Sequence, residues 1–163
     1  MKLYIYDHCP FCVKARMIFG LKNIPVELVV MLSDDEATPK KLIGQKMAPI
    51  LMKEDGSCMP ESLDIVAWVD QKHGEPLLTG STNPAIGEWL RRVNGYLNKL
   101  LLPRIAAASF AEFATPEARR YFMIKRKPAR AVLMNLKNML TAISRTLMTI
   151  FASSISLSSS RTR

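Results

Sequence analysis

The chain has 163 residues, 48% of them hydrophobic, enough for one domain with a buried core or for a small domain and part of another. Three cysteines are too few and too odd in number for a secreted disulfide scaffold, and Met1–Tyr6 holds no signal-peptide core, so a cytoplasmic protein is expected. The net charge of +9 describes neither half: residues 1–80 carry 9 Lys/Arg against 11 Asp/Glu, residues 81–163 carry 14 against 3, and no carboxylate side chain follows Glu117.

"KLYIY" (2–6) reads as a first strand, and Cys12–Gly20 as a helix with Val13, Met17 and Ile18 at helical spacing and a glycine stop. "VELVVM" (26–31) has the β-branched composition of a parallel strand buried on both faces. A short helix within 33–44 ends near Gly44, and "MAPILMKEDGSCM" has the form of a hairpin turning at Glu-Asp-Gly. Residues 60–74 follow as a helix, giving the order β-α-β-α-β-β-α. "EPLLTGSTNP" (75–84) is linker-like, with a boundary near residue 78. From Pro84 a long helix carries Ile86, Trp89, Leu90, Val93, Leu97, Leu100 and Leu101 on one face, and Pro103 is expected to kink or end it. Another helix opens at Thr115, its N-cap, with Pro116 at the first helical position.

The stretch that carries chemistry is "YIYDHCPFCVKAR" (4–16), two cysteines two residues apart between the first strand and the first helix. Beyond Cys9 and Cys12 a zinc ion would find only Cys58, His8 and His73, with no second knuckle spacing, so no metal is expected. An inert buried pair fits poorly with a proline at a strand-to-helix turn. Free N–H groups and the helix dipole favour a thiolate at Cys9, lowering its pKa from roughly 8.5 toward or below ~7, with Lys14 and Arg16 adding positive charge. Cys12, about one helical turn further in, keeps a more ordinary pKa and serves as the resolving thiol.

A CxxC after the first strand, followed by a βα-then-hairpin order, points to a thioredoxin-like fold. Here the chain resembles a known family. "CPFC" looks like the glutaredoxin site, and with "YIYDHCPFC", "ARMIFGLKNIPVEL", "MAPIL", "MPES", "PLLTG" and "VNGY.NKLLLPR" the chain resembles the glutaredoxin 2 family, large bacterial glutaredoxins built like glutathione S-transferases. The resemblance runs from Met1 to about Lys127. It implies an α/β thioredoxin-like domain over 1–77 and a partial all-α, glutathione S-transferase-like domain over 78–127, here truncated, with a non-family tail over 128–163.

The resemblance further implies a cis peptide before Pro49, with the backbone of Ala48 pairing with the cysteinyl part of glutathione, and Glu61 and Ser62 receiving the γ-glutamyl end at a helix start. Without it, Pro49 reads as an ordinary trans proline and Glu61–Ser62 as a helix cap. Lys22 and Lys46 are candidates for the glycyl carboxylate, although each also reads as a solvated lysine. Tyr6 and Phe11 flank the sulfur, His8 is a polar neighbour and not a base, and Cys58 is core. Trp68, Trp89 and the Leu97–Leu101 stripe read as core and domain contact. The implied activity is glutathione-dependent thiol–disulfide exchange by a monomer, with glutathione as co-substrate, glutathionylated or disulfide-containing proteins as partners, and no prosthetic group. The competing readings are a glutathione transferase-like enzyme, for which a CxxC is unnecessary, and an inactive or unstable truncated product.

The tail "PARAVLMNLKNMLTAISRTLMTIFASSISLSSSRTR" has no acid, many serines and weak periodicity. Its longest uncharged stretch, Thr146–Ser160, falls short of the ~20 residues a membrane span needs, and its one aromatic, Phe151, does not make a nucleic-acid platform. Permitted codons for "FASSISLSSSRTR" read in a neighbouring frame yield "RQLDKLIVKPNA", similar to a helix and linker of the family. A single-base insertion or deletion near codon 128 is therefore expected. The gene's nucleotide sequence checks this: restoring the frame there should recover a glutaredoxin-like C-terminal segment, and failure to do so refutes it.

Overall fold

The computed structural model describes residues 1–125, and the expected tail and frame change lie outside the described residues. The element order follows the expectation: β1 (Lys2–Ile5), α1 (Pro10–Leu21), β2 (Glu27–Val30), α2 (Ala37–Ile43), β3 (Ile50–Met52), β4 (Cys58–Pro60) and α3 (Ser62–Lys72). α4 (Pro84–Ala107), a 3-10 turn (Ala111–Phe113) and α5 (Pro116–Lys125) follow. The sheet order is β2-β1-β3-β4; β1 runs parallel to β2 (Leu3 beside Leu28) and antiparallel to β3 (Leu3 beside Leu51), and β3 pairs antiparallel with β4.

Alternation along β1 sends Leu3 and Ile5 to one face, where they meet Cys12, Ala15, Ile18 and Phe19 of α1, Leu51 of β3, and Ile65 and Val69 of α3. Each of these larger side chains, fully buried, contributes roughly 1.5–3 kcal/mol relative to exposure. α1 and α3 pack together on this face, so the helix that begins at the cysteines is fixed on the sheet and on a second helix. The helical part has its own small cluster of Ala106, Phe113 and Phe122, flanked by Leu102, Ile105, Phe110 and Met123.

Three expectations are corrected and a fourth is narrowed. β2 is not buried on both faces: it is an edge strand, and Leu28 and Val30 are exposed. The buried stripe of α1 is Cys12, Ala15, Ile18 and Phe19, while Val13 and Met17 face outward. α1 starts at Pro10, not Cys12, and runs past Gly20. It stops in a Schellman motif in which Asn23 (φ 54°) takes the left-handed position, Ile24 N–H donates to the Phe19 carbonyl (2.8 Å) and Asn23 N–H to the Gly20 carbonyl (3.1 Å). Pro103 does not end α4, which continues to Ala107 with the proline ring buried, although the Lys99 carbonyl loses its helical donor.

Other signals act as read. Asn83 caps α4 by accepting from Ala85 N–H (3.0 Å), Thr115 caps α5 by accepting from Ala118 N–H (3.1 Å), and Gly44 closes α2 at φ 77°. The domain-contact reading of the α4 stripe is not what the structure shows, since Trp89, Leu90, Leu100 and Leu101 are exposed, whereas Trp68, half-buried on α3, packs against the core as read. Contact between the two parts falls instead on the 3-10 turn and α5. There, Tyr121 Oη donates to Glu36, which also accepts from Lys40 (2.6 Å) and Lys125 (3.3 Å).

Lys22 is committed to acceptors of the protein itself. Its ammonium is buried beside Asp70 (3.1 Å) and donates to the carbonyls of Asp70 (2.7 Å), His73 (2.7 Å) and Glu75 (2.9 Å), tying the end of α1 to the end of α3. Asp70 in turn accepts from the N–H groups of Leu77 (2.9 Å) and Leu78 (3.0 Å). The Leu77 N–H is the largest influence holding this carboxyl below its usual range; burial opposes it, and Leu78 and Lys22 reinforce it. A carboxyl lowered in the folded state stabilises above its unfolded pKa and stops doing so as pH falls through the lowered value. Lys22→Met, which removes the cation but leaves Asp70 its two N–H donors, is expected to lower the urea-denaturation midpoint at neutral pH. The deficit relative to wild type should shrink as the pH is taken down through that lowered value.

Candidate active site

Cys9 is the N-cap residue of α1 (φ −77°, ψ 120°), with Pro10 at the first helical position and no side-chain oxygen capping the turn. Proline has no N–H to offer, so the free donors of the first turn belong to Phe11 and Cys12. Cys9 is half-buried and Cys12 fully buried, both as free thiols. The Cys9 pKa is lowered to about 6, first by a hydrogen bond from the Cys12 thiol, against burial, and then by the N–H groups of Cys12 and Phe11 and the charge of His8.

The partner thiol moves the other way. Donating to Cys9 holds Cys12 protonated, and burial adds to this, outweighing the Tyr6 N–H that reaches its sulfur at 3.4 Å. Its pKa is therefore raised well above the ordinary value expected for it. Lys14 and Arg16 are not the positive charges at the thiolate: Arg16 pairs with Asp7 (2.9 Å), and Lys14 lies over the Phe11 ring (5.2 Å).

A cavity of about 380 Å³ opens beside Cys9, lined by Tyr6, His8, Phe11, Ser33, Lys46, Met47, Ala48, Tyr121, Phe122 and Lys125. It gathers Cys9, Ala48, Lys46, Tyr6 and Phe11 in one place. Burial pushes the Tyr6 hydroxyl up, which keeps it protonated. Lys46 donates to the Ser33 carbonyl (2.6 Å) and stands 4.0 Å over the Tyr121 ring. The Ala48–Pro49 peptide is cis, with Pro49 fully buried. Glu61 and Ser62 are not on the cavity wall. Glu61 is exposed at φ 70°, a backbone region that costs a non-glycine residue about 1–3 kcal/mol, and Ser62 is buried in the first turn of α3. Cys58 is half-exposed on the edge strand β4 and not core.

Sequence reasoning missed Glu112. Its side chain is fully buried and accepts from the backbone N–H of His8 (3.0 Å) and Asp7 (3.2 Å) and from His8 Nδ1. Burial alone would raise this carboxyl; the His8 ring and these N–H groups outweigh it and hold it below the usual range. No local pattern marks a residue 104 positions from its partner.

Comparison with known proteins bears on this geometry. Residues 3–77 match the family model "Glutathione S-transferase, N-terminal domain", and residues 85–153 match "Glutaredoxin 2, C terminal domain". The crystal structure of glutaredoxin 2 from Salmonella typhimurium in complex with glutathione superposes with a TM-score of 0.78 at 59% identity, over 91% of this chain and 70% of that one. The chain belongs to the glutaredoxin 2 family. The glutaredoxin 2 proteins of Escherichia coli strains K12 and O157:H7 are each 66% identical to it over 127 residues, 78% of this chain. The chain spans 59% of the length of these curated relatives. The second family match runs past residue 127, where the sequence reading ends the resemblance to glutaredoxin 2.

The assignment of roles to the two sulfurs is testable by alkylation across pH with mass-spectrometric readout. Cys9 should titrate with a midpoint of about 6 and Cys12 should stay unlabelled at neutral pH. Cys12→Ala should raise the Cys9 midpoint, and Cys12→Ser, which keeps a donor, should raise it less.

Proposed function

We propose that the chain is a glutathione-dependent thiol–disulfide oxidoreductase acting through Cys9 and Cys12. The observation that carries this reading is the placement of the pair: a half-buried sulfur at the uncapped N-terminus of α1, bordering a cavity, and a fully buried thiol within the first turn of the same helix. The first is a nucleophile at neutral pH, and the second is a reserve that stays out of solution.

The Cys9 thiolate attacks the glutathione sulfur of a mixed disulfide, forming a Cys9–glutathione bond and expelling the substrate sulfur as a thiolate, which takes a proton from water. A second glutathione thiolate then attacks the sulfur of the bound glutathione, yielding oxidised glutathione and regenerating the Cys9 thiolate. With a protein disulfide, Cys9 bonds to one substrate sulfur while the other leaves. Cys12 then transfers its proton to the next departing thiolate as it attacks Cys9, and two glutathione molecules reduce the resulting Cys9–Cys12 disulfide. Once Cys9 is in a mixed disulfide it no longer accepts from Cys12, so the interaction that kept Cys12 protonated is removed at the step that needs its thiolate.

Glutathione is proposed to lie in the cavity beside Cys9, its cysteinyl part along the backbone of Ala48 at the Pro49 corner. Lys46 is the remaining candidate for its glycyl carboxylate, since Lys22 is committed elsewhere. Glu61 and Ser62, at the start of α3, are proposed for the γ-glutamyl end, where first-turn N–H groups favour a carboxylate. The reaction needs no metal or prosthetic group. Glutathionylated and disulfide-containing proteins are the proposed partners, and a cytoplasmic monomer is the proposed setting. No helix among the described residues is long and apolar enough to cross a membrane.

Turnover of a glutathionyl mixed disulfide tests the reading directly. Cys9→Ser should abolish it, whereas Cys12→Ser should keep it and lose reduction of protein disulfides. A Cys9→Ser protein of undiminished turnover would overturn the assignment. Glutathione conjugation that survives Cys12→Ser without disulfide reduction by the wild type would favour the transferase alternative.

A further inference from the structure

We propose that Glu112, on the helical part of the chain, is a positioning residue for Cys9, fixing the turn that presents the thiol at the start of α1. The inference rests on the oxidoreductase reading above and adds a residue that reading does not use.

Glu112 is fully buried, and its carboxylate takes its partners from the turn preceding Cys9: the N–H groups of Asp7 and His8 and the His8 ring. A buried carboxylate persists only where such partners are held to it, so the turn and the acid define one another. The next N–H in the chain, that of Cys9, closes onto the Tyr6 carbonyl (3.2 Å). Three successive amides are thereby fixed, two of them by Glu112. The His8 ring is held against rotation: Tyr6 and Phe113 stack on it (centroids 6.3 and 5.5 Å), and Phe122 meets it edge-on at 5.3 Å. The backbone carbonyl of Glu112 accepts from Ser33 N–H (2.9 Å), anchoring the 3-10 turn to the segment after β2. The two ends of this clamp therefore hold the segments that follow the neighbouring parallel strands β1 and β2.

The sign of the effect separates action through the turn and the His8 ring from direct repulsion by the carboxylate. The groups facing the Cys9 sulfur or its cavity are Cys12, His8, Tyr6, Tyr121, Lys46 and Lys125. A nearby carboxylate acting by charge alone disfavours a thiolate, so removing it would lower the Cys9 midpoint. Loss of the clamp instead loosens the alignment of the sulfur with the Phe11 and Cys12 donors and raises the midpoint.

The test is alkylation of Cys9 across pH in the full chain, with Glu112→Gln, which keeps a neutral acceptor, and Glu112→Ala, which leaves the amides without one. The expected result is an upward shift of about one pH unit or more in Glu112→Ala and a smaller upward shift in Glu112→Gln. Unchanged or lowered midpoints, whatever the melting temperatures, would overturn the proposal. Hydrogen exchange on the wild type needs no variant: the Asp7 and His8 amides should exchange as slowly as those of β1, and exchange at loop rates would overturn it. A wild-type Cys9 that titrates like a free thiol would overturn the oxidoreductase reading and this inference with it. An acid-shifted wild type with unshifted variants overturns this inference alone.

Discussion

The chemistry of the chain depends on a shortage of acceptors at the start of α1. Pro10 removes one donor, no side-chain oxygen caps the turn, and the amides of Phe11 and Cys12 act on the sulfur of Cys9. An Asp or Ser at position 9 would cap the same helix in the ordinary way and leave it inert. The helix trades a conventional cap for a thiolate, and the rest of the fold keeps that helix from shifting. Ile18 and Phe19 pin it to the sheet, and Lys22 joins its far end to α3.

The two sulfurs show how one local environment produces opposite acidities. The hydrogen bond between them lowers Cys9 and raises Cys12, because a shared proton stabilises the anion at one end and the neutral thiol at the other. Burial sharpens the contrast, since Cys12 is sealed under the Tyr6 backbone while Cys9 borders a cavity. Order of attack is thus encoded in depth: the accessible sulfur is the ionised one.

Much of this was legible in the sequence, and the reasons are local. The spacing of Cys9 and Cys12, the strand before them and the helix after them are short-range signals, as are the caps Asn83 and Thr115 and the hairpin turn at Gly56. What escaped was set by tertiary placement. Lys22 reads as a solvated lysine because its four acceptors come from residues 70–75. Val13 and Met17 share helical spacing with Ile18, yet which stripe faces the sheet is decided by the packing of α1 against β1 and α3, and the choice fell on Ala15 and Phe19. β2 reads as a doubly covered strand from composition alone, whereas strand order makes it an edge. Glu112 is invisible because its partners lie a hundred residues away. The comparisons place the chain in the glutaredoxin 2 family, but the roles of individual residues at the glutathione cavity come from the sequence resemblance and the geometry.

The buried pair at Lys22 and Asp70 also fixes the length of a leash. Because Asp70 grips the amides of Leu77 and Leu78, only residues 79–82 separate the last anchored point of the linker from the cap of α4 at Asn83. Even fully extended, that stretch spans about 17 Å. The helical part therefore meets the thiol-bearing part as a tethered neighbour at high effective concentration, and a separation of the two at the cavity reverses by a short excursion instead of a diffusional search.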